Sequence, residues 1–481
     1  MAHETATCAS TDVSRRGAHD ARVDTVPARS YTASAQLLPG PDRIHAAVGK
    51  AIAGTRIEPL MNAASNTTEV IAAAVAALGT GPLTESAIAR HVAPLFSRVL
   101  ARNARQIYLA NHSLGRPLDA TTNDVAEAIT LWQTQMGGAW SGWADEMAAH
   151  RSRLAQLLGA PRGDCIVPKA SAGQGLRAIL NTYDTVPRVV ATRGEFDSID
   201  VILREYARRG RITLRLVEAR GEGLFVAEDL DSAVRSGADL VVLSQVLFNS
   251  GQVLPGLPAL IKTAHGEGAK VLLDVYHSLG VMPVDVTALD VDFAIGGAYK
   301  YLRGGPGACF LYLHPRHLEG SLATLDVGWF AKRDPFTYQR PDPPVWGAGG
   351  DAFLESTPPI VTWYQARAGQ IFTLAVGVER LRVLSQALQR RLVGLLAAEG
   401  VTATGGGDDR GAFCILSFET RGQGAAQRCA LALAERGVAC DARGFWLRLC
   451  PDMLTTDDEL VRAAKVVAEG VRQQTTSQST G

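Results

Sequence analysis

Apolar runs and amphipathic stretches alternate along residues 160–330. RVVATRG, ITLRLVEA, DLVVLSQVL, KVLLDVY, VDFAIGGAY and ACFLYLHP read as strands, while SIDVILREYARRG and GLPALIKTAHGEG between them read as helices. Strands that are apolar throughout are buried on both faces. Separated by helices, they predict an α/β fold with a mostly parallel sheet covered on both sides. Ligands in such sheets bind beyond the carboxyl ends of the strands. The polar residues that close the apolar runs are therefore the ones to examine.

The flanks differ. EVIAAAVAALG and IARHVAPLFSRVLARNA carry apolar residues at helical spacing. QIYLANHSLGRP reads as a short strand entering a turn, and residues 122–159 read as helical, with Trp132, Trp140 and Trp143 as packing residues. Residues 331–362 are rich in Pro, Gly and aromatics. One long helical pattern follows to about residue 400, then FCILSFET and WLRLCP as strands with helices near 424–436 and 456–473. The chain thus divides into a tail without core-forming composition (1–35), a helical N-terminal extension (36–106), a large domain (107–360), a smaller α+β C-terminal domain (361–473) and a polar tail (474–481).

Composition narrows the class. Of 481 residues, 47% are hydrophobic and 20% charged, as in a protein with a large core. Basic and acidic residues number 48 each, so no single-sign field argues for nucleic acid or an anionic membrane. The seven cysteines include no CxxC pair, which argues against zinc and against a disulfide framework. No secretory apolar core opens the sequence and no run of eighteen apolar residues occurs. A cytoplasmic protein that holds no metal is expected.

Two residues then carry the chemistry. Asp274 closes the strand LLDVY, with His277 three residues on, and Lys300 closes the next β-unit in GGAYKYLRGGPG. A carboxylate at a buried strand end is costly unless paired. An acid followed one unit later by a lysine is what a pyridoxal 5'-phosphate enzyme needs: the lysine joins the cofactor aldehyde as an imine, and the acid pairs with the ring nitrogen. A cradle for the phosphate is available in IVPKASAGQGLRAIL, where Ser171, Ala172, Gly173 and Gln174 open a helix whose N-terminus favours an anion. Phe196 ends another strand and either stacks on the ring or packs in the core. Ser244, Asn249 and Ser250 follow a further strand. Arg448 interrupts the apolar run WLRLCP, either as a clamp on a substrate carboxylate or as a surface arginine.

These motifs resemble the class V aminotransferase superfamily, and within it the kynureninases. AYKYLRGGPG, DVYHSLG, NHSLGRP (Asn111–Pro117), DVGWFAKRDPF and ESTPPI are similar to kynureninase segments in the same order, over residues 107–472. The resemblance implies fold type I with a seven-stranded sheet in the large domain, pyridoxal phosphate as cofactor, an amino-acid substrate and a homodimer with shared sites. It implies Lys300, Tyr299 and Asp274 as catalytic residues. It adds His277, Ala172, Gly173, Phe196 and Ser198 to the cofactor site, with Trp329 and Thr357 completing the phosphate site from the second subunit. Arg448, Asn111 and Ser113 would meet the substrate.

The departures bear on the substrate. Ile199 stands where kynureninases have a second acid near the cofactor, leaving Asp197 or Asp200 as replacements; Arg303 stands for an asparagine; and QMGGAWSGW lacks the histidine that meets the aromatic ring in animal enzymes. Three functions follow: a kynureninase-like hydrolase cleaving the Cβ–Cγ bond of a β-keto amino acid, another class V reaction such as transamination, lysis, epimerisation or decarboxylation, and a cofactor-binding regulator without turnover.

Overall fold

The structure is a computed structural model, and it describes residues 63–476 apart from 222, 320 and 321. The expected tail at 1–35, the first part of the N-terminal extension and most of the expected tail at 474–481 lie outside the described residues; residues 474–476 instead continue the helix Asp457–Thr476. Twelve strands are described: β1 (Ile107–Tyr108), β2 (Ile166–Lys169), β3 (Arg188–Thr192), β4 (Thr213–Val217), β5 (Leu240–Ser244), β6 (Lys270–Asp274), β7 (Phe293–Gly297), β8 (Cys309–Leu313), β9 (Cys414–Ser417), β10 (Val438–Ala439), β11 (Asp441–Arg443) and β12 (Trp446–Leu449).

Seven of them form one sheet in the order β2-β8-β7-β6-β5-β3-β4. Only β8 runs against the rest, antiparallel to both β2 and β7. The apolar runs explain the position of each strand. Every residue of β5, β7 and β8 is buried, whereas β4 at the edge alternates exposed and half-buried positions. Two large apolar clusters cover the two faces of this sheet. Ser244, Asp274 and Ile295 stand in one lateral row at its carboxyl edge.

The C-terminal part carries a three-stranded antiparallel sheet, β11-β12-β9, packed against the helices Val378–Ala398, Ala425–Glu435 and Asp457–Thr476. β1 pairs with β10 here and not with the large sheet. The single long helix expected after residue 362 is two helices, Ile360–Val376 and Val378–Ala398, parted at Gly377, whose φ of +88° is one that L side chains rarely adopt. The apolar period continues through the break, so the pattern alone does not reveal it.

The described part of the N-terminal extension packs against the helix Ile360–Val376. Ile71, Val75, Val92 and Phe96 join Phe372 and Leu454 in one cluster, and the Phe96 and Phe372 rings meet edge-on at 5.5 Å. No described helix is long and apolar enough to cross a membrane.

Candidate active site

Lys300 follows β7 by three residues and is 5% exposed. It opens a turn that closes on itself: the Arg303 N–H donates to the Lys300 carbonyl at 3.0 Å, and the Gly304 N–H to that of Ala298 at 2.7 Å. The NHSLG turn lies against this backbone, with the Gly115 N–H donating to the Tyr299 carbonyl at 2.8 Å. A Cβ on Gly115 would stand 1.9 Å from the Lys300 carbonyl oxygen, so only glycine fits there.

The Lys300 side chain enters a cavity of about 170 Å³ at the carboxyl edge of the sheet. Its Nζ is 2.5 Å from His277 Nε2 and 5.5–5.6 Å from the ring centres of Phe196, Tyr276 and Tyr299. Burial pushes the amine well below its ordinary pKa, against the pull of Asp274. Burial and the neighbouring Lys300 likewise push His277 far down, so its imidazole is neutral. Asp274 lines the same cavity. Its Oδ1 accepts from the Tyr276 N–H at 2.8 Å, no hydrogen bond to Oδ2 exists among the described residues, and burial raises its pKa.

The opposite wall is the start of the helix Ala172–Leu180. Ser171 is its N-cap, accepting from the Gln174 N–H at 3.3 Å, while Gln174 Oε1 accepts from the Ala170 N–H at 2.6 Å. This reciprocal cap fixes the turn and leaves the Ser171 hydroxyl hydrogen available. Ala170, Ser171 and Ala172 line the cavity, as do Phe196, Ser198 and Ser244. Gly173 sits one residue deeper, at the second position of the helix.

Other residues depart from their expected settings. Ile199 is fully buried in the core, and Asp200 pairs with Arg204 on the helix Asp197–Arg208. Neither places an acid in the cavity; Glu195, not singled out from the sequence, is the buried acid of this region. Asn249 and Ser250 hold their own turn, with Asn249 Oδ1 accepting from the Ser250 N–H. Trp329 and Thr357 do not line the chain's own Lys300 cavity. Their segments lie together, with the Phe330 N–H donating to the Glu355 carbonyl at 3.0 Å. Trp329 belongs to a ring cluster with Trp140, Phe330 and Phe336.

Arg448 is 2% exposed and is no surface arginine. Its Nε and Nη2 donate to the two oxygens of Asp441 at 2.8 and 2.6 Å, and its Nη1 donates to the Phe248 carbonyl. Asp441 faces it directly across β11 and β12. His112 bonds the same carboxylate at 2.7 Å, and Ser113 donates to it. Burial alone would raise Asp441, but His112 and Arg448 together hold it well below the carboxylate range. Three of the five guanidinium N–H groups are engaged and two remain. Asn111 is buried and donates to the Cys450 carbonyl at 2.9 Å. Phe413 lies between the two histidines, 4.8 Å from His112 and 5.8 Å from His277, ring to ring.

Arg303 adopts φ +57°, a left-handed conformation costly for a side chain of its size. Its guanidinium compensates by bonding Asp452 at 2.8 Å and covering the Phe96 ring at 5.4 Å. Arg116 bonds the same aspartate. Burial would raise Asp452, but the two arginines bring it down to about 2.

The residues present fit a planar, phosphate-bearing cofactor. The cavity joins a capped helix N-terminus, the Phe196 ring, a buried carboxylate with an unpartnered oxygen and a buried amine. His277 Nδ1 is a buried polar atom without a hydrogen-bond partner.

Comparison with known proteins agrees with this geometry. The Aminotransferase class-V family profile matches residues 133–445. The chain is 28% identical over 399 residues to a kynureninase of Pseudomonas fluorescens, covering 78% of this chain and 91% of that one. It is 27% identical over 391 residues to a kynureninase of Geobacillus thermodenitrificans, covering 76% and 89%. Among solved structures it is similar to a cysteine desulfurase from Thermococcus onnurineus, with TM-score 0.66 and 18% identity over 77% of this chain and 96% of that one. A mutant C-DES with glycine covalently linked to its PLP cofactor gives 0.67 and 20% over 77% and 98%.

Proposed function

Because this chain is a member of the class-V aminotransferase family and takes pyridoxal 5'-phosphate as its cofactor, we propose that it is a kynureninase-like hydrolase of a β-keto amino acid. The observation that carries this reading is the similarity to kynureninases over more than three quarters of the chain. The reaction adds water across the Cβ–Cγ bond. Hydroxyl goes to the acyl carbon, giving a carboxylic acid, and a proton goes to Cβ, giving alanine.

When bound, the cofactor supplies an electron sink through its ring. In this reading Ser171 and the amides of Ala172 and Gly173 hold its phosphate at the helix N-terminus. Phe196 covers its ring, and Asp274 keeps the ring nitrogen protonated. Lys300, uncharged through burial, anchors the aldehyde. Its Nζ then takes the proton from the substrate α-carbon and returns it, a transfer that contributes on the order of 10²–10⁴-fold. His277, 2.5 Å away, holds the amine in place. Tyr299 stands beside Lys300 to assist the proton transfer. The two remaining N–H groups of Arg448 take the substrate carboxylate, with Asp441 fixing the plane of the guanidinium. Ser113 acts through Asp441, and Asn111 through the strand end at Cys450.

In this reading the protein is a homodimer in which Trp329 and Thr357 complete the phosphate site of a second copy of the chain; the exposure of Leu325, Phe336 and Tyr338 in the same region supports it. The enzyme works in the cytoplasm. The test is to incubate the loaded protein with L-kynurenine and 3-hydroxykynurenine and follow anthranilates and alanine. Release of a keto acid that depends on an amino acceptor, without alanine, would instead identify a transaminase. No turnover of any amino acid in a broad panel would leave a cofactor-binding regulator.

A further inference from the structure

Glu195 lies between β3 and Phe196 and is 3% exposed. Its Oε1 accepts from Thr192 Oγ1 and its Oε2 from Ser244 Oγ, both at 2.6 Å. Hydroxyls that donate to an ionised carboxylate stand at such distances. Ser244 lines the cofactor cavity and is the register partner of Asp274. Because its proton goes to Glu195, Ser244 turns only lone pairs toward the cavity. No lysine, arginine or histidine pairs with Glu195 among the described residues. Burial raises its pKa to about 7, the two hydroxyls oppose the rise, and the neighbouring Asp274 adds to it.

Two carboxylates thus share one buried corner, and no cation among the described residues pairs with Glu195. A buried charge without a partner is costly, and like charges in one low-dielectric site raise that cost. A positive ring entering the cavity would relieve both terms. We propose that Glu195 is an ionised second counter-charge to the cofactor's protonated ring, acting from behind Asp274 and Ser244 as a positioning residue. It takes the part of the acid that is absent at Ile199, four residues further along the chain. This rests on the reading that Asp274 faces the ring nitrogen.

The test uses Glu195→Gln, which keeps the shape and removes the charge, alongside Glu195→Ala and Asp274→Asn. Each apoprotein is titrated with pyridoxal phosphate by intrinsic fluorescence, and the visible band of each loaded protein is titrated with pH. A nearby negative charge favours a protonated, cationic cofactor. Its removal in Glu195→Gln therefore lowers the band's pKa, by about 0.5–1 unit, and weakens cofactor binding severalfold. Wild-type values in Glu195→Gln, with only thermal stability lost in Glu195→Ala, overturn the proposal and leave Glu195 a packing residue. A band unmoved in Asp274→Asn would instead overturn the ring-nitrogen reading itself, so the two failures are distinguishable. Infrared spectroscopy of unaltered, loaded protein labelled with ¹³C at the glutamate carboxyls provides a check that needs no variant. The proposal expects no carboxylic-acid C=O stretch from glutamate at neutral pH, and a clear one overturns it.

Discussion

The ε-amine of Lys300 and Nε2 of His277 stand 2.5 Å apart, both side chains buried. Both groups are driven toward their neutral forms by burial. A neutral amine can bond a neutral imidazole, whereas two cations at that distance would repel. An amine must be unprotonated to attack a carbonyl, so burial, the main cause of the lysine's lowered pKa, favours its reactive form.

Lys300→Ala therefore removes the visible absorption of the loaded protein while the fold persists. Absorbance after incubation with excess pyridoxal phosphate, with circular dichroism alongside, checks this. A colour equal to that of wild type in the variant would refute the assignment of Lys300.

Asp274→Asn keeps the hydrogen bond from the Tyr276 N–H and removes the charge. Cofactor uptake should survive while turnover falls by at least about 100-fold, since the ring nitrogen loses its charge-assisted partner. Steady-state kinetics beside a cofactor titration separate the two effects.

Gly115→Ala places a methyl against the Lys300 carbonyl. The backbone must move, and the lysine moves with it. The variant should lose most of its activity with a far smaller loss of thermal stability, measured by turnover and by thermal unfolding.

Asp452 tests the support beneath the Lys300 turn. Asp452→Ala leaves Arg116 and Arg303 without their buried partner, a loss on the order of 3–5 kcal/mol. The native carboxyl has a pKa of about 2, below the unfolded value near 3.9. Its stabilisation is therefore complete above the unfolded value and is lost as pH falls through the folded one. Denaturant unfolding at several pH values should show the gap between wild type and Asp452→Asn closing between roughly pH 5 and 2.

Phe96→Ala removes a fully buried ring from between Phe372 and Arg303. A loss on the order of 3–5 kcal/mol is expected, together with weaker cofactor binding through the loosened Arg303 turn. Chemical denaturation and a pyridoxal phosphate titration measure the two.

The sequence by itself determined the strands of the large sheet, the helix that starts after Ser171, and Asp274 and Lys300 as the polar residues at or just past the ends of two neighbouring strands. Each of these is a local property: an uninterrupted apolar run, a small-residue turn opening a helix, a polar residue where a buried strand ends. The helix break at Gly377 escaped because the apolar period continues across it. Tertiary structure alone decided that Asp441 would fill one edge of Arg448, that Asn111 and Ser113 would be spent on Cys450 and Asp441, that Glu195 would meet Ser244, and that Phe96 would carry Arg303. Those pairings join elements far apart along the chain. Which side chains meet there depends on strand register and on how helices pack over the sheet, and periodicity within one element holds no information about either.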